Sequence, residues 1–190
     1  KHEKLTNIID ISDVAALDYF VEEETVFRIG AGLSLEKLKT CTLEKLPALH
    51  HMLQIFGSIQ IRNLATIGGN IGSASPIGDT LPLLIAYKAD VVLRSEFTER
   101  IVHITDFIEG YRKTSLAPDE LITAVLIPKP ADSVMIRSYK VSKRKDLDIS
   151  TVSGGFSVLL EDGNVQKIIL AFGGMADMPK RAAETEKFLI

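Results

Sequence analysis

"IRNLATIGGNIGSASPIGDT", residues 61–80, decides how the rest of the chain is read. Its positions hold four glycines, two serines, two threonines and two asparagines, with one proline and no run of charge. Isoleucine and leucine recur through it, which a solvated linker would not need. Glycine lets the backbone take positive φ and lets another molecule approach the main chain closely. Successive amides can then converge on an anion, and hydroxyl side chains add donors without adding charge. Thr66, Asn70, Ser73 and Ser75 are such donors, and Asp79 ends the stretch with a carboxylate able to accept from sugar hydroxyls. Neither the phosphate loop G-x-x-x-x-G-K-[ST] nor the dinucleotide fingerprint G-x-G-x-x-G is present. Two readings stand: a cradle for a phosphate or nucleotide, or a glycine-rich β-turn packed against neighbouring helices.

Upstream, Asn7 to Ile11 is apolar and β-branched, which predicts a strand. "SDVAALDYF" opens on a capping pair and predicts a short helical turn, and "TVFRIGAG" predicts a strand running into a tight turn. "SLEKLKTCTLEKLPALHHMLQIFGS" carries leucines at helical spacing and predicts two helices, with Pro47 near the start of the second. Downstream, "GDTLPLLIAYKA" predicts a helix opening near Asp79 and Thr80. "DVVLRS" and "RIVHI" predict a strand pair, "DFIEGYRKTSLAPDE" a loop with one helical turn, and "LITAVLIP" a strand. Pro128 and Pro130 then bracket a linker, "PKPADS", the expected domain boundary. Beyond it "MIRSYKVSKRK" predicts a strand, Asp162, Gly163 and Asn164 a hairpin turn, and "KRAAETEKFLI" a helix. The expected fold is α+β, divided into residues 1–130 and a smaller unit, 134–190, of antiparallel strands and helix.

The totals narrow the function. Against 25 acidic side chains stand 22 basic ones, and a net charge of −3 offers no electrostatic reason for a nucleic acid or an anionic membrane as partner. No apolar run approaches the roughly 20 residues that span a bilayer. A single cysteine, Cys41, excludes an internal disulfide and any cysteine-built metal or iron–sulfur site within these residues; it reads as a small buried hydrophobe. Adjacent His50 and His51 point about 100° apart on a helix, which suits no shared metal. No Ser/His/Asp arrangement and no acid/base pair is discernible, so no residue is assigned a catalytic role. A cytoplasmic protein fits this composition. The sequence starts without methionine and stops inside an amphipathic helix with no C-cap signal, as a piece of a longer protein would.

"QIRNLATIGGNIGSASPIGDTLP" resembles the FAD-binding signature of molybdenum-hydroxylase flavoproteins. "EGYRKTSLAPDELITAVLIP", "YKVSKRKDLDIS" and "AFGGMADMPKRAA" resemble further blocks of that family in the same order, and "SPIGD" and "FGGMA" lean toward its xanthine dehydrogenase branch, in particular the bacterial small subunit carrying iron–sulfur and FAD domains. The resemblance implies a flavin module of the vanillyl-alcohol-oxidase-like type, with a mixed sheet and helices. It implies FAD as cofactor, and 2Fe–2S clusters and a molybdopterin cofactor held by partner domains or subunits in a hetero-oligomer. Electrons would pass from the clusters to FAD and on to NAD. Relatives acting on carbon monoxide or an aromatic thioester, or a fragment that no longer holds flavin, remain the alternatives.

Carried onto matching positions, the resemblance places Thr66, Ile67, Gly68, Gly69 and Asn70 along the FAD pyrophosphate, where the amides of Gly68 and Gly69 would be bare. It places Ser73 at a hydroxyl position, Asp79 at a nucleotide contact and Phe56 beside the adenine. Ile122 and Lys140 fall near the flavin end, and "SKRKDLDIS" near the ring, where nicotinamide would approach. Read without the family, Phe56 would be core, Asp79 an N-cap, Lys140 a solvent-facing strand residue and Lys143–Lys145 a solvated face. The family also carries a glycine-rich segment upstream of these residues, and a chain lacking it is expected to bind FAD poorly.

Overall fold

A computed structural model describes residues 8–144 and 147–190. In chain order, a 3-10 turn (Ala15–Leu17) precedes β1 (Phe20–Glu22), β2 (Val26–Gly30), α1 (Leu35–Cys41), α2 (Pro47–Gln54), α3 (Ile59–Leu64), α4 (Ile67–Gly72) and α5 (Thr80–Ala86). There follow β3 (Asp90–Arg94), β4 (Glu99–His103), α6 (Ile104–Phe107), a small hairpin of β5 (Ile108–Gly110) and β6 (Lys113–Thr114), and β7 (Leu121–Pro128). The remainder comprises β8 (Val134–Ser142), β9 (Ser150–Glu161), β10 (Asn164–Gly173), β11 (Lys180–Arg181) and α7 (Ala183–Leu189).

One sheet has the order β1-β2-β7-β3-β4 and the other β11-β10-β9-β8. Every described pairing is antiparallel, so the mixture in this architecture is of helix with sheet rather than of strand directions. The helices share one apolar cluster with both sheets. It runs from Phe27 and Ile29 of β2 and Val125 of β7, through Leu49, Leu53 and Leu81–Ala86, to Ile136 of β8 and Ile169 of β10. All seven residues of α5 are buried. That helix lies against β9 so closely that Gly155 leaves no room for a side chain: a Cβ there would sit 2.3 Å from the Pro82 carbonyl oxygen.

Sequence expectations fail locally in several places, among them 108–114, expected as loop but folded as the β5–β6 hairpin. Asn7 lies outside the described residues, and Ile8–Ile11 forms no strand; Ile8 and Ile9 are exposed because β1 takes the place beside β2. The glycine-rich stretch is not a β-turn but contains α4, capped by Thr66, whose hydroxyl accepts from the Gly69 N–H at 3.1 Å. Glycine disfavours helix by about 1 kcal/mol per residue. Here the cap and close packing outweigh that: the Gly68 N–H donates to the Ala31 carbonyl at 2.9 Å, and a Cβ on Gly68 would meet the Ala31 Cβ at 2.6 Å.

Candidate functional site

Ser34 caps α1 and Thr66 caps α4, and the two residues form an isolated antiparallel bridge, so both helix starts are held side by side. Leu35 N donates to Ala65 O at 2.8 Å and Ile67 N to Leu33 O at 3.2 Å. Between these starts, the Ala31–Gly32 turn after β2, and the start of β7 opens a cleft of about 500 Å³. Its small floor is Ala31, Gly32, Gly68 and Gly69. Leu17, Leu116, Leu121 and Ile122 supply apolar lining; polar groups are supplied by Ser34, Asn63, Thr66 and Lys37, the last paired with Asp18.

Thr66, Gly68, Gly69 and Ile122 are thus brought together. Ile67, between them, is fully buried and turned into the core. Asn70 and Ser73 do not line the cleft: the Asn70 side-chain oxygen accepts from the Thr80 hydroxyl, and Ser73 donates to the Asn70 carbonyl at 2.8 Å. Phe56 packs against the apolar core, outside the cleft. Its carbonyl, with that of Gly57, accepts from the Arg62 guanidinium, which also holds Glu36 at 2.6 Å. Lys39 and Arg62 together hold the Glu36 carboxyl below the usual carboxylate range.

Asp79 and Lys140 meet each other rather than the cleft. Lys140 Nζ donates to Asp79 Oδ2 at 2.8 Å, with both side chains over nine-tenths buried, and the Ser150 hydroxyl donates to Asp79 Oδ1. Both carboxylate oxygens are engaged, and the side chain makes no capping bond to α5. Asp79 does stand at the N-cap position of α5, but its carboxylate is spent on Lys140 and Ser150 instead of the helix amides. The expectation of a solvent-facing Lys140 is corrected, since a carboxylate 61 positions away draws the ammonium inward. The amides of Gly68 and Gly69 are likewise not bare, because Ala31 O and Thr66 Oγ1 take them. What faces the cleft instead are hydroxyls with a hydrogen to spare. Thr66 and Ser34 each accept from a backbone N–H and can donate outward. In the charged loop, Arg144 pairs with Asp148 at 3.2 Å; Lys145 lies outside the described residues.

Sequence reading missed Ser34, Lys37 and Asn63 as cleft residues, and Ser150 as a partner of Asp79. Ser34 could have been found from the capping position in "GLSLEK"; the others depend on distant pairings that no local pattern encodes.

Residues 1–130 match the FAD binding domain in molybdopterin dehydrogenase. The chain belongs to this family. Residues 137–190 match the CO dehydrogenase flavoprotein C-terminal domain. A xanthine dehydrogenase of Emericella nidulans is 35% identical over 94% of this chain, which spans 14% of that enzyme. The nicotinate dehydrogenase FAD-subunit of Eubacterium barkeri is 34% identical over 99% of this chain, which spans 66% of that subunit. Among solved structures, a Cu,Mo-CO dehydrogenase superposes with a TM-score of 0.88 at 29% identity, covering 95% of this chain and 64% of that one. The fold is therefore that of the CO dehydrogenase flavoprotein, with a FAD-binding domain and a C-terminal domain of antiparallel strands. Among the described residues no helix is long and apolar enough to cross a membrane.

The cleft suits the family's cofactor. Its apolar lining at Leu116 and Ile122 fits a flat ring, while the Ser34 and Thr66 hydroxyls fit an anionic linker. A Cβ on Gly69 would meet nothing but the Thr66 hydroxyl, at 3.1 Å, and would project into the space left for a ligand.

Proposed function

We propose that this chain is the flavin-binding, electron-transferring part of a xanthine dehydrogenase-type molybdenum hydroxylase. The observation that carries the reading is the Gly69 floor of the cleft, bare of side chain beside two helix-capping hydroxyls, in a chain that matches a FAD-binding domain over residues 1–130. FAD supplies the redox chemistry when bound. The chain's own residues bind, orient and shield it. Thr66 and Ser34 would donate to its pyrophosphate, Gly69 would allow close approach above a Gly68 packed on Ala31, and Ile122 with Leu116 would exclude water from the ring.

Asn70, Ser73, Asp79 and Lys140 act behind this surface. Asn70 ties α4 to α5 through Thr80, and Asp79 holds Lys140 of β8 and Ser150 of β9 against the start of α5. Phe56 lies outside the cleft with its carbonyl held by Arg62, so its adenine contact is proposed on the resemblance alone. The chain divides at 131–133 into a FAD-binding unit and a C-terminal unit. Its electrons come from 2Fe–2S clusters, its partners are an iron–sulfur domain and a molybdopterin subunit in a cytoplasmic hetero-oligomer, and NAD is the acceptor. Purine oxidation itself takes place on the partner.

Titration of the chain with FAD, followed by flavin fluorescence, tests the reading. Saturable quenching is expected for the wild type and its loss for Gly69→Val, with the thermal midpoint of the variant unchanged. Equal quenching by both proteins would remove the cleft from the account.

A further inference from the structure

A second depression, of about 320 Å³, opens at the seam where the end of α5, the linker 128–133 and strands β8–β10 meet. It shares no lining residue with the cleft. Its walls are apolar, with Ala86, Val134, Ile136, Leu159 and Ile169, and Tyr87 beside them is kept neutral by burial, which pushes its hydroxyl up to about 12. Lys88, Lys129 and Lys167 stand around this apolar surface and no aspartate or glutamate among the described residues lines it, although the chain as a whole carries a net charge of −3. Lys129 is matched by Glu22 at 2.9 Å; Lys88 and Lys167 make no ion pair among the described residues.

Two further features set this place apart from an ordinary solvated surface. Ser157 is only 9% exposed and lines the depression, so a hydroxyl stands in its apolar wall. Lys88 sits at the C′ position after α5 with φ +56°, where Lys88 N donates to Ile85 O and Ala89 N to Leu84 O. That is a Schellman ending, and glycine fills its C′ position without strain. A lysine held in the left-handed region costs about 1 kcal/mol, and such strain collects where a side chain has work to do.

We propose that this seam binds a small aromatic carboxylate. The ring lies on the apolar wall, the carboxylate is met by the unpaired ammonium groups of Lys88 and Lys167, and the Ser157 hydroxyl donates to it. The volume suits a single ring, near the lower end of small-molecule sites at roughly 300 Å³. Because α5, the linker and the C-terminal sheet all contribute, an occupant would brace the two units against each other.

Nitrogen-15 NMR titration of the chain with benzoate tests this, with benzamide and inorganic phosphate as controls. Benzoate is expected to give saturable shifts at residues 86–88, 130–134, 157–159 and 167–169, which neither control reproduces. Equal shifts from benzamide would mean an apolar dimple only, and equal shifts from phosphate an undifferentiated positive surface; either overturns the proposal, as would shifts that do not saturate. Lys167→Gln is expected to weaken benzoate about threefold. Lys88→Gly separates binding from folding: relief of the left-handed strain raises the thermal midpoint by about 2 °C while benzoate affinity falls. A stabilised Lys88→Gly protein that keeps wild-type affinity would refute the assignment.

Discussion

Gly155→Ala is the substitution whose effect the packing specifies most closely. The added methyl carbon would lie 2.3 Å from the Pro82 carbonyl oxygen and 2.4 Å from the Leu83 Cα, both main-chain atoms of α5. No flexible side chain can yield, so the helix has to withdraw from β9 by about 1 Å to restore van der Waals contact. Withdrawal loosens a helix whose seven residues are all buried, and with it the apolar cluster shared by both sheets. Overpacking of this kind costs about 3 kcal/mol. For a chain of this length that corresponds to a fall of about 6–12 °C in thermal midpoint. Far-UV circular dichroism during urea and thermal unfolding reads the change, since the chain has no tryptophan to report it. Gly110→Ala is the control, because a Cβ there meets nothing within 4 Å. If Gly155→Ala unfolds within about 0.5 kcal/mol of the wild type while Gly110→Ala does the same, α5 does not rest on β9 as described.

Other consequences follow from the charged groups. Removing one member of the buried Asp79–Lys140 pair, as in Lys140→Met, is expected to cost about 3 kcal/mol by leaving Asp79 buried without its ammonium partner. The double variant Asp79→Asn/Lys140→Met should recover much of that in urea unfolding, and strictly additive losses would contradict the pairing. Glu120 is held down to about 2 by the Arg100 guanidinium, which grips it at 2.6 and 2.8 Å, and by the Ala117 N–H. A folded pKa below the unfolded value contributes stability above pH 4.5 that is lost as pH falls toward about 2. Glu120→Gln should therefore flatten the acid limb of thermal midpoint against pH in that window. Glu22, held at about 2 by Lys45 and Lys129, keeps part of the slope. An unchanged limb would show that the Arg100 grip is absent in solution.

Much of the fold was legible wherever a local rule governs. Alternation gave β2, short apolar runs gave β3, β4 and β7, leucine spacing with Pro47 gave α1 and α2, and Asp162, Gly163 and Asn164 gave the β9–β10 hairpin. Where long-range partners govern, the sequence was silent. Ile8–Ile11 has a strand's composition but no sheet edge to join, and the edge went to Phe20–Glu22. The glycines of 68–72 read as a loop because propensity says so, yet Thr66 and the surface of Ala31 make them a helix. Cys41 ends α1 half-buried instead of within the core, because the turn beyond it faces solvent. For the site, the small residues pointed to the right wall of the cleft but for a partly wrong reason: their amides are spent inside the fold, and hydroxyls are what remain. The join of Asp79 to Lys140 and Ser150 crosses 61 and 71 positions, and no spacing rule reaches that far.

The most direct test of the central claim is where FAD falls on the molecule. Nitrogen-15 chemical-shift mapping detects even weak binding and reports it residue by residue. The account predicts saturable shifts at residues 31–37, 63–69 and 116–122, abolished by Gly69→Val. Shifts that are absent, or that persist in Gly69→Val, would contradict it.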